Sequence, residues 1–544
     1  MNRFFVLSSF ISSSSAAAQP KAPLLSQSSH LQVISMEEDK HSSCDNTAET
    51  GDGCSILLEL SDVDPLFDKK KRLLNDGGFD VKEIVHIKSS LDSGSLQSTL
   101  NQMLQIARII HLDEVELYFG PVGGLGFYSP RNEMEAQNFI LSLIESSLSG
   151  QVHTQAHALQ DLRDAIINRI HELGTENKVE NKIDTNYKCD KENCLIQWAE
   201  NNGAKTRLHI AYIQGAGRGA IATEDLEVGD IAMEIPTSII ISEYLVYKSD
   251  MYQILERIDG MSSETMSLLW SMKERHNCHS QFKIYFDALP ENFNTGLSFG
   301  VEAIMALDGT LLFEEIMQAK ESCTRGSSFY GLVSSGFLNH SLHPHIVHYG
   351  KVDPATNSLK FPLSRPCSVG EQCCLSYGNF SGSHLITFYG FLPQGDNPYD
   401  VIPLDFDVDQ VDTMEDCPLS NWTTHMVRGT WLSENQNIFY YGLPSPLLDF
   451  LRSARTQMPF TKTLIKANLE VDKEVLEDLQ STFNDMVENL SDLDSFDREI
   501  SSWDVKLALE FKEMQRRIVT SILTSCSTGI KLVEYELSKC KAEE

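Results

Sequence analysis

At 544 residues the chain is too long for one hydrophobic core, and its length predicts about three domains. Its 41% hydrophobic and 22% charged residues are those of an ordinary globular protein. A formal charge of −33 argues against unspecific nucleic-acid binding, because such a surface repels a polyanion and the nearest basic run, Lys69 to Arg72, is only four residues long. No run of about eighteen apolar residues predicts a membrane-spanning helix.

Residues 1–36 hold two basic residues, Arg3 and Lys21, no acidic ones, and many serines and alanines. That composition fits a transit peptide for plastid or mitochondrion; the alternative is a tail without an address, with Met36 as the effective start and a cytoplasmic protein as the outcome. Ser42 to Gly53 is polar and predicted disordered, so 1–54 is grouped as a targeting or disordered segment. Residues 55–175 read as a mostly helical region. Leu96, Leu100, Met103, Leu104, Ala107 and Ile110 recur at helical spacing, as do Ala158, Leu162, Ala165, Ile166 and Leu173 before a Gly174 stop, and a third helix is predicted around Met134 to Leu148. GPVGGLG, Gly120 to Gly126, lacks the Lys-Ser/Thr of a phosphate loop and reads as a flexible turn.

Residues 176–193 are charged, poor in large apolar residues, and predicted to be a linker. Beyond Cys194, Leu208 to Ile213 alternates as a strand, GAGRG makes a tight turn, Gly219 to Ala222 resumes extended, and Asp230 to Ile235 is a further strand. Tyr244 to Cys323 is helical and then proline-bounded. Gly336 to Phe391 has the pattern of a site rather than a core: Asn339 and His340 offer side chains and backbone to a polar ligand, and Tyr377 and Tyr389 are each followed by glycine. After Pro393 an acidic loop leads to two amphipathic helices, one through Val471, Val475, Leu479, Phe483, Met486 and Leu490, the other through Leu507, Phe511, Met514, Ile518 and Ile522. The fourteen acidic residues from Glu470 to Glu513 are either a solvated face or a surface for a basic partner. Twelve scattered cysteines without paired zinc spacing read as free thiols in a reducing compartment.

NHS at Asn339 to Ser341, SYG at Ser376 to Gly378, and SGSHLITFYGF from Ser381, preceded by LIQWAENNGAKTRLHIAYIQGAGRGAIATEDLEVGDIAMEIPTSIIIS over 195–242, resemble a SET-domain protein methyltransferase. Within that family the resemblance is to the plant branch of Rubisco large-subunit and actin-histidine methyltransferases, and it covers roughly residues 194–544. It implies an α+β fold: a SET domain of short β-sheets at 194–391 with a helical insert at about 244–323, then an all-α substrate-binding domain at 392–544. It also implies S-adenosyl-L-methionine as cofactor and a lysine, or less readily a histidine, of a non-histone protein as target, with the protein substrate docking on the C-terminal helices.

Methyl transfer is an in-line displacement at a sulfonium-bound carbon, so donor and acceptor must be held on one line. Glycines in GAGRG let backbone approach a ligand closely, and the extended run that follows leaves no helix N-terminus for a pyrophosphate. A plain Gly-rich hairpin is the alternative. By resemblance Gly215, Ala216 and Gly217 line the donor pocket, Asn339 and His340 touch the donor's adenine and amino-acid ends on a segment threaded beneath another loop, Tyr377 is the catalytic tyrosine, and Phe388 and Tyr389 wall the substrate channel. A phenol accepts a hydrogen bond from the incoming amine and steers its lone pair. His343, His345 and His348 stand close by, but no carboxylate or cysteine accompanies them at a recognisable spacing, so no metal is expected.

Two departures from the family stand out. A tryptophan-containing helix and a Ser-Arg pair are missing before NHS, where IMQAKESCTRGSSFYGLVSSGFLNHS makes a shortened connection and Arg325 is the nearest arginine. Ser381 and Gly382 replace a Ser-Asn, which removes a hydrogen bond to the donor. A SET-like core without activity, serving as a protein-binding scaffold, is therefore the alternative to the enzyme.

Overall fold

The computed structural model describes residues 53–544 except 89–91, 122–127, 150–155, 177–181, 185, 291–292, 325–336, 349, 405–421, 423, 430–436, 457–459, 491–500 and 544. Residues 1–52 of the expected targeting or disordered segment, most of GPVGGLG, Arg325 and residues 325–336 of the shortened connection before NHS lie outside the described residues, while Gly53 and Cys54 of the targeting or disordered segment belong to the first strand.

The N-terminal region is not purely helical. It opens with strand β1 (Gly53–Glu59), which pairs antiparallel with β2 (Lys82–Lys88) from Gly53↔Lys88 to Glu59↔Lys82. Alternation buries Cys54, Ile56 and Leu58 beside Val85 and Ile87, while Ser55 and Glu59 face out. The expected helices are present at Ser93–Ile110, Pro130–Ser149 and Ala156–Glu176, and close one apolar core over this pair of strands. Gly174 does not stop the last of them. It lies within the final turn, where an added Cβ would sit 3.6 Å from Arg365 Cδ.

The expected linker is only partly free of structure. Ile183 pairs with Ile213, Gln214 N–H bonds Lys182 O at 2.8 Å, and a helix spans Asp190–Asn201. The middle of the chain then holds β3 (Lys205–Thr206), β4 (Leu208–Ile213), β5 (Gly217–Ala222), β6 (Ile231–Pro236), β7 (Lys351–Asp353) and β8 (Ser358–Pro362). β4 and β5 form a hairpin; the others make an antiparallel sheet in the order β3-β6-β8-β7. Leu208, Ala220, Ala232, Ile346, Phe361 and Leu375 are buried together at its centre.

The expected insert at 244–323 divides. Val246, Leu255, Trp270, Phe282 and Phe286 form a core of their own. Phe299, Ala303, Leu307, Leu312 and Ile316 instead join the C-terminal helices Ser445–Ser453, Lys466–Asn489 and Trp503–Glu543, because that bundle offers the larger apolar face. Gly300 N–H bonds Asp504 Oδ2 at 2.9 Å and Lys512 Nζ bonds Ala306 O at 3.0 Å, pinning the two together. The second expected helix is thus a single one of 41 residues. The region 392–544 is not all-α as expected: β9 (Ile402–Leu404) and β10 (His425–Val427) pair antiparallel beside the bundle. Short sheets between two helical regions make the chain α+β, and no helix among the described residues is long and apolar enough to cross a membrane.

Candidate active site

The β4–β5 turn is built on glycine. Gly215 and Gly217 have φ of +84° and +74°, the left-handed region that other residues avoid, and no atom lies within 4 Å of where a Cβ would stand. One step on, close approach is the requirement. A Cβ on Gly219 would meet Ile213 Cδ1 at 2.3 Å, Gln372 Nε2 at 2.8 Å and Asn339 Nδ2 at 3.1 Å. Glycine here lets two distant segments close on the hairpin.

Those segments are 339–346 and 372–377. Asn339 Nδ2 donates to Arg218 O at 3.0 Å, so the Asn-His pair is fastened to the GAGRG strand itself. Cys373 N–H bonds Ala220 O, Leu375 N–H bonds Asn339 O, and Cys374 O accepts from His345 and Ile346, all at 2.8–3.1 Å. The 372–377 segment is therefore gripped by β5 and by both ends of the 339–346 segment at once, which satisfies backbone groups that would otherwise be buried without partners. Tyr377 follows directly. Its N–H donates to His340 Nδ1 at 3.1 Å, and its phenol donates to Leu338 O at 3.0 Å. Burial pushes the His340 imidazole down to about 4, so at neutral pH the ring is uncharged and Nδ1 is an acceptor.

An aromatic wall surrounds the phenol. Tyr377 lies 5.0 Å from the ring of Tyr389 and 6.3 Å from that of Phe391, and His340 is 5.4 Å from Tyr377. Phe388, the other expected wall residue, has its ring 4.7 Å from His384, which stacks on Phe380 at 4.2 Å; Phe391, which sequence reading did not single out, borders both His340 and Tyr377. The glycine after each tyrosine has a physical reason. Gly378 has φ of +130°, and Gly390, at +78°, caps the helix Gly382–Tyr389 where a Cβ would lie 1.6 Å from Asn294 O. The Ser381–Gly382 departure has one too. Ser381 caps the same helix, Gly382 N–H bonds Asp400 Oδ1 at 2.5 Å, and a Cβ on Gly382 would meet Leu392 Cδ1 at 2.7 Å.

Support comes from residues that no motif announced. Arg218, between the glycines, bonds Glu192 Oε1 at 3.0 Å and Ala288 O at 2.5 Å, tying the turn to the insert. From the N-terminal region, Asp113 Oδ2 accepts from Asn379 Nδ2 at 2.8 Å and from Tyr399 OH at 2.6 Å. Asp113 also caps the helix Glu114–Phe119, and Arg131 holds Glu116 at 2.6 Å. The region outside the resemblance thus grips the chain two residues past Tyr377.

The three nearby histidines go different ways. His348 bonds Glu135 Oε2 at 2.9 Å, while His343 is half-buried. His345 turns inward to Cys367 and Cys373, where the potential ligand atoms of all three lie within 4.8 Å of one another. No recognisable spacing in the sequence pointed to that company; folding creates it.

The SET domain family model matches residues 217–378, a span that begins within GAGRG and takes in Asn339, His340 and Tyr377. No curated protein matches the chain. Similar solved structures include the SET domain of LSMT bound to lysine and AdoHcy, with 16% identity over 65% of this chain and 96% of that one, at a TM-score of 0.49. Rubisco LSMT bound to AdoMet shows 15% identity over 64% and 96%, at 0.48. Rubisco LSMT bound to sinefungin and monomethyllysine shows 17% over 64% and 93%, also at 0.48.

Proposed function

We propose that the chain is an S-adenosyl-L-methionine-dependent protein methyltransferase acting on a lysine, less readily a histidine, of a non-histone protein. The observation that carries this reading is the fastening of three separated motifs into one site: Asn339 to the strand of GAGRG, and Tyr377 to the ring of His340. The match of residues 217–378 to the SET domain supports it. The residues present suit the donor. Gly215 and Gly217 leave open space over the turn, beside Ala216, and Asn339, whose Nδ2 is committed to Arg218 O, keeps its side-chain Oδ1 as the acceptor to offer a ligand.

When bound, S-adenosyl-L-methionine supplies a methyl group on a sulfonium centre. Tyr377 positions the acceptor. Its proton is held by Leu338 O, which fixes the phenol and directs an oxygen lone pair to an N–H of the incoming amine. Tyr389 and Phe391 flank the phenol with apolar faces that exclude water. No strong base is needed near Tyr377, because a neighbouring cation lowers the pKa of a lysine from about 10.4 by like-charge repulsion. The C-terminal helices dock the protein substrate.

Calorimetric titration of the full chain with S-adenosylhomocysteine is the first test, with saturable binding expected and lost in Asn339→Ala. Tyr377→Phe should lower transfer of labelled methyl groups to immobilised cell-extract protein by about a hundredfold, with homocysteine-product affinity unchanged. Full turnover in that variant would overturn the assignment, and absence of binding by folded wild-type protein would favour the scaffold.

A further inference from the structure

We propose that His345, Cys367 and Cys373 hold a zinc ion in a buried, structural site beneath the segment that carries Tyr377, with the fourth position left to a water molecule. The inference is independent of the methyltransferase reading, since a scaffold would need the same clamp. Three residues with imidazole and thiol ligand atoms converge within 4.8 Å, and all are buried, at 2%, 1% and 0% exposure. Metal–sulfur bonds of about 2.3 Å at tetrahedral angles set ligand atoms roughly 3.5–3.8 Å apart, so side-chain adjustments of about 1 Å close the set. One nitrogen and two sulfurs select zinc over magnesium or calcium, which take oxygen.

The surroundings are those of a metal-bound histidine. Glu371 Oε1 lies 3.0 Å from His345 Nε2, the carboxylate–imidazole contact that orients the ring and leaves Nδ1 for the ion. Nδ1 now accepts from Cys374 N–H at 3.0 Å and lies 3.4 Å from Arg365 Nη2. On metal binding that amide turns to a thiolate sulfur, and two thiol protons leave to solvent. Arg365, 3.6 Å from Glu371, completes the charge balance: two thiolates and one carboxylate against a divalent ion and one guanidinium leave the buried site neutral.

The site would join three parts of the chain. Cys367 exchanges two backbone hydrogen bonds with Leu226 at 2.9 Å, Cys373 bonds Ala220 O at 2.8 Å, and His345 N–H bonds Cys374 O at 2.9 Å. Zinc at this junction would fix the same segment that presents Tyr377 a few residues on.

The full chain, purified after equilibration with zinc and desalting, should carry about one zinc per molecule by elemental analysis. X-ray absorption of that wild-type sample should show at least two sulfurs and one imidazole around the metal, and cobalt substitution should give thiolate-to-metal charge-transfer absorption. Cys367→Ser with Cys373→Ser should remove the metal, while Cys189→Ser with Cys194→Ser should keep it. A folded chain that retains no zinc, a shell of oxygen and nitrogen alone, or metal lost only in the Cys189 and Cys194 variant would overturn the proposal. The wild-type spectra decide the matter even if the double variant fails to fold.

Discussion

The C-terminal bundle and the candidate active site are held together by different means. In the bundle, helices Lys466–Asn489 and Trp503–Glu543 bury rows of Leu, Ile, Val and Phe around a polar cluster. Arg452 Nε bonds Asp472 Oδ1 at 2.6 Å, and Tyr441 OH bonds the other carboxylate oxygen at 2.5 Å. The site has few rows. Its segments are a few residues long, and backbone hydrogen bonds and glycines let them meet. A bundle spreads its stability over many side chains, whereas the site concentrates it in a few close approaches.

That contrast can be broken at several points. Asp472→Ala leaves the fully buried Arg452 with only Asp449 and Phe439 O as partners, and a loss of about 3 kcal/mol is expected on thermal or denaturant unfolding. A loss under about 1 kcal/mol would show that the apolar rows alone carry the bundle. Gly390→Ala tests the site's side of the comparison. With φ of +78° and Asn294 O in the way, it should cost about 3 kcal/mol, against roughly 0.5 kcal/mol for an exposed surface substitution, as measured by urea midpoints.

Acid should separate the regions as well. The His340 imidazole titrates at about 4 in the folded chain against 6.5 when free, so between these values the unfolded chain takes up the proton first. Its contribution to stability is present above 6.5 and falls by at most about 1.4 kcal/mol per pH unit as the pH drops toward 4. Denaturant titrations of the wild type and His340→Gln across this window should show a shallower pH dependence in the variant, and identical slopes would mean that the ring is protonated in the fold. The smallest effect is expected at the seam with the N-terminal region. Asp113→Asn keeps the helix cap but weakens the hold on Asn379 and Tyr399, lowering stability by about 1 kcal/mol. It should slow methyl transfer more than it weakens S-adenosylhomocysteine binding, and a change in binding alone would place Asp113 in support of the donor instead.

The same contrast decides what could be read in the sequence. Long helices announce themselves through the spacing of Leu100, Met103, Leu104 and Ala107, or of Val475, Leu479 and Phe483, and they lie where that spacing puts them. β1 and β2 had a signal in the alternation of Cys54, Ile56 and Leu58, but each is short and interrupted by another apolar residue, Leu57 or Ile84. Gly215 to Gly217, Asn339, His340 and Tyr377 were readable as motifs and do converge. Part of what fastens them was not readable, because beside the His340 ring the partners are carbonyl oxygens of Arg218 and Leu338, which carry no side-chain signature. His345 met Cys367 and Cys373 for a similar reason: pairing between segments, rather than spacing along the chain, set their distance.

The 41-residue helix has a mechanical side. At 1.5 Å per residue it is a rod of about 60 Å, so a tilt of about 5° at one end sweeps the other through roughly 5 Å. Its near end is bolted to the insert through Asp504 and Lys512, and Ile316 of the insert shares a core with Ile386, within one turn of Tyr389. The rod thus reaches the helix that carries Tyr389 through one continuous apolar core.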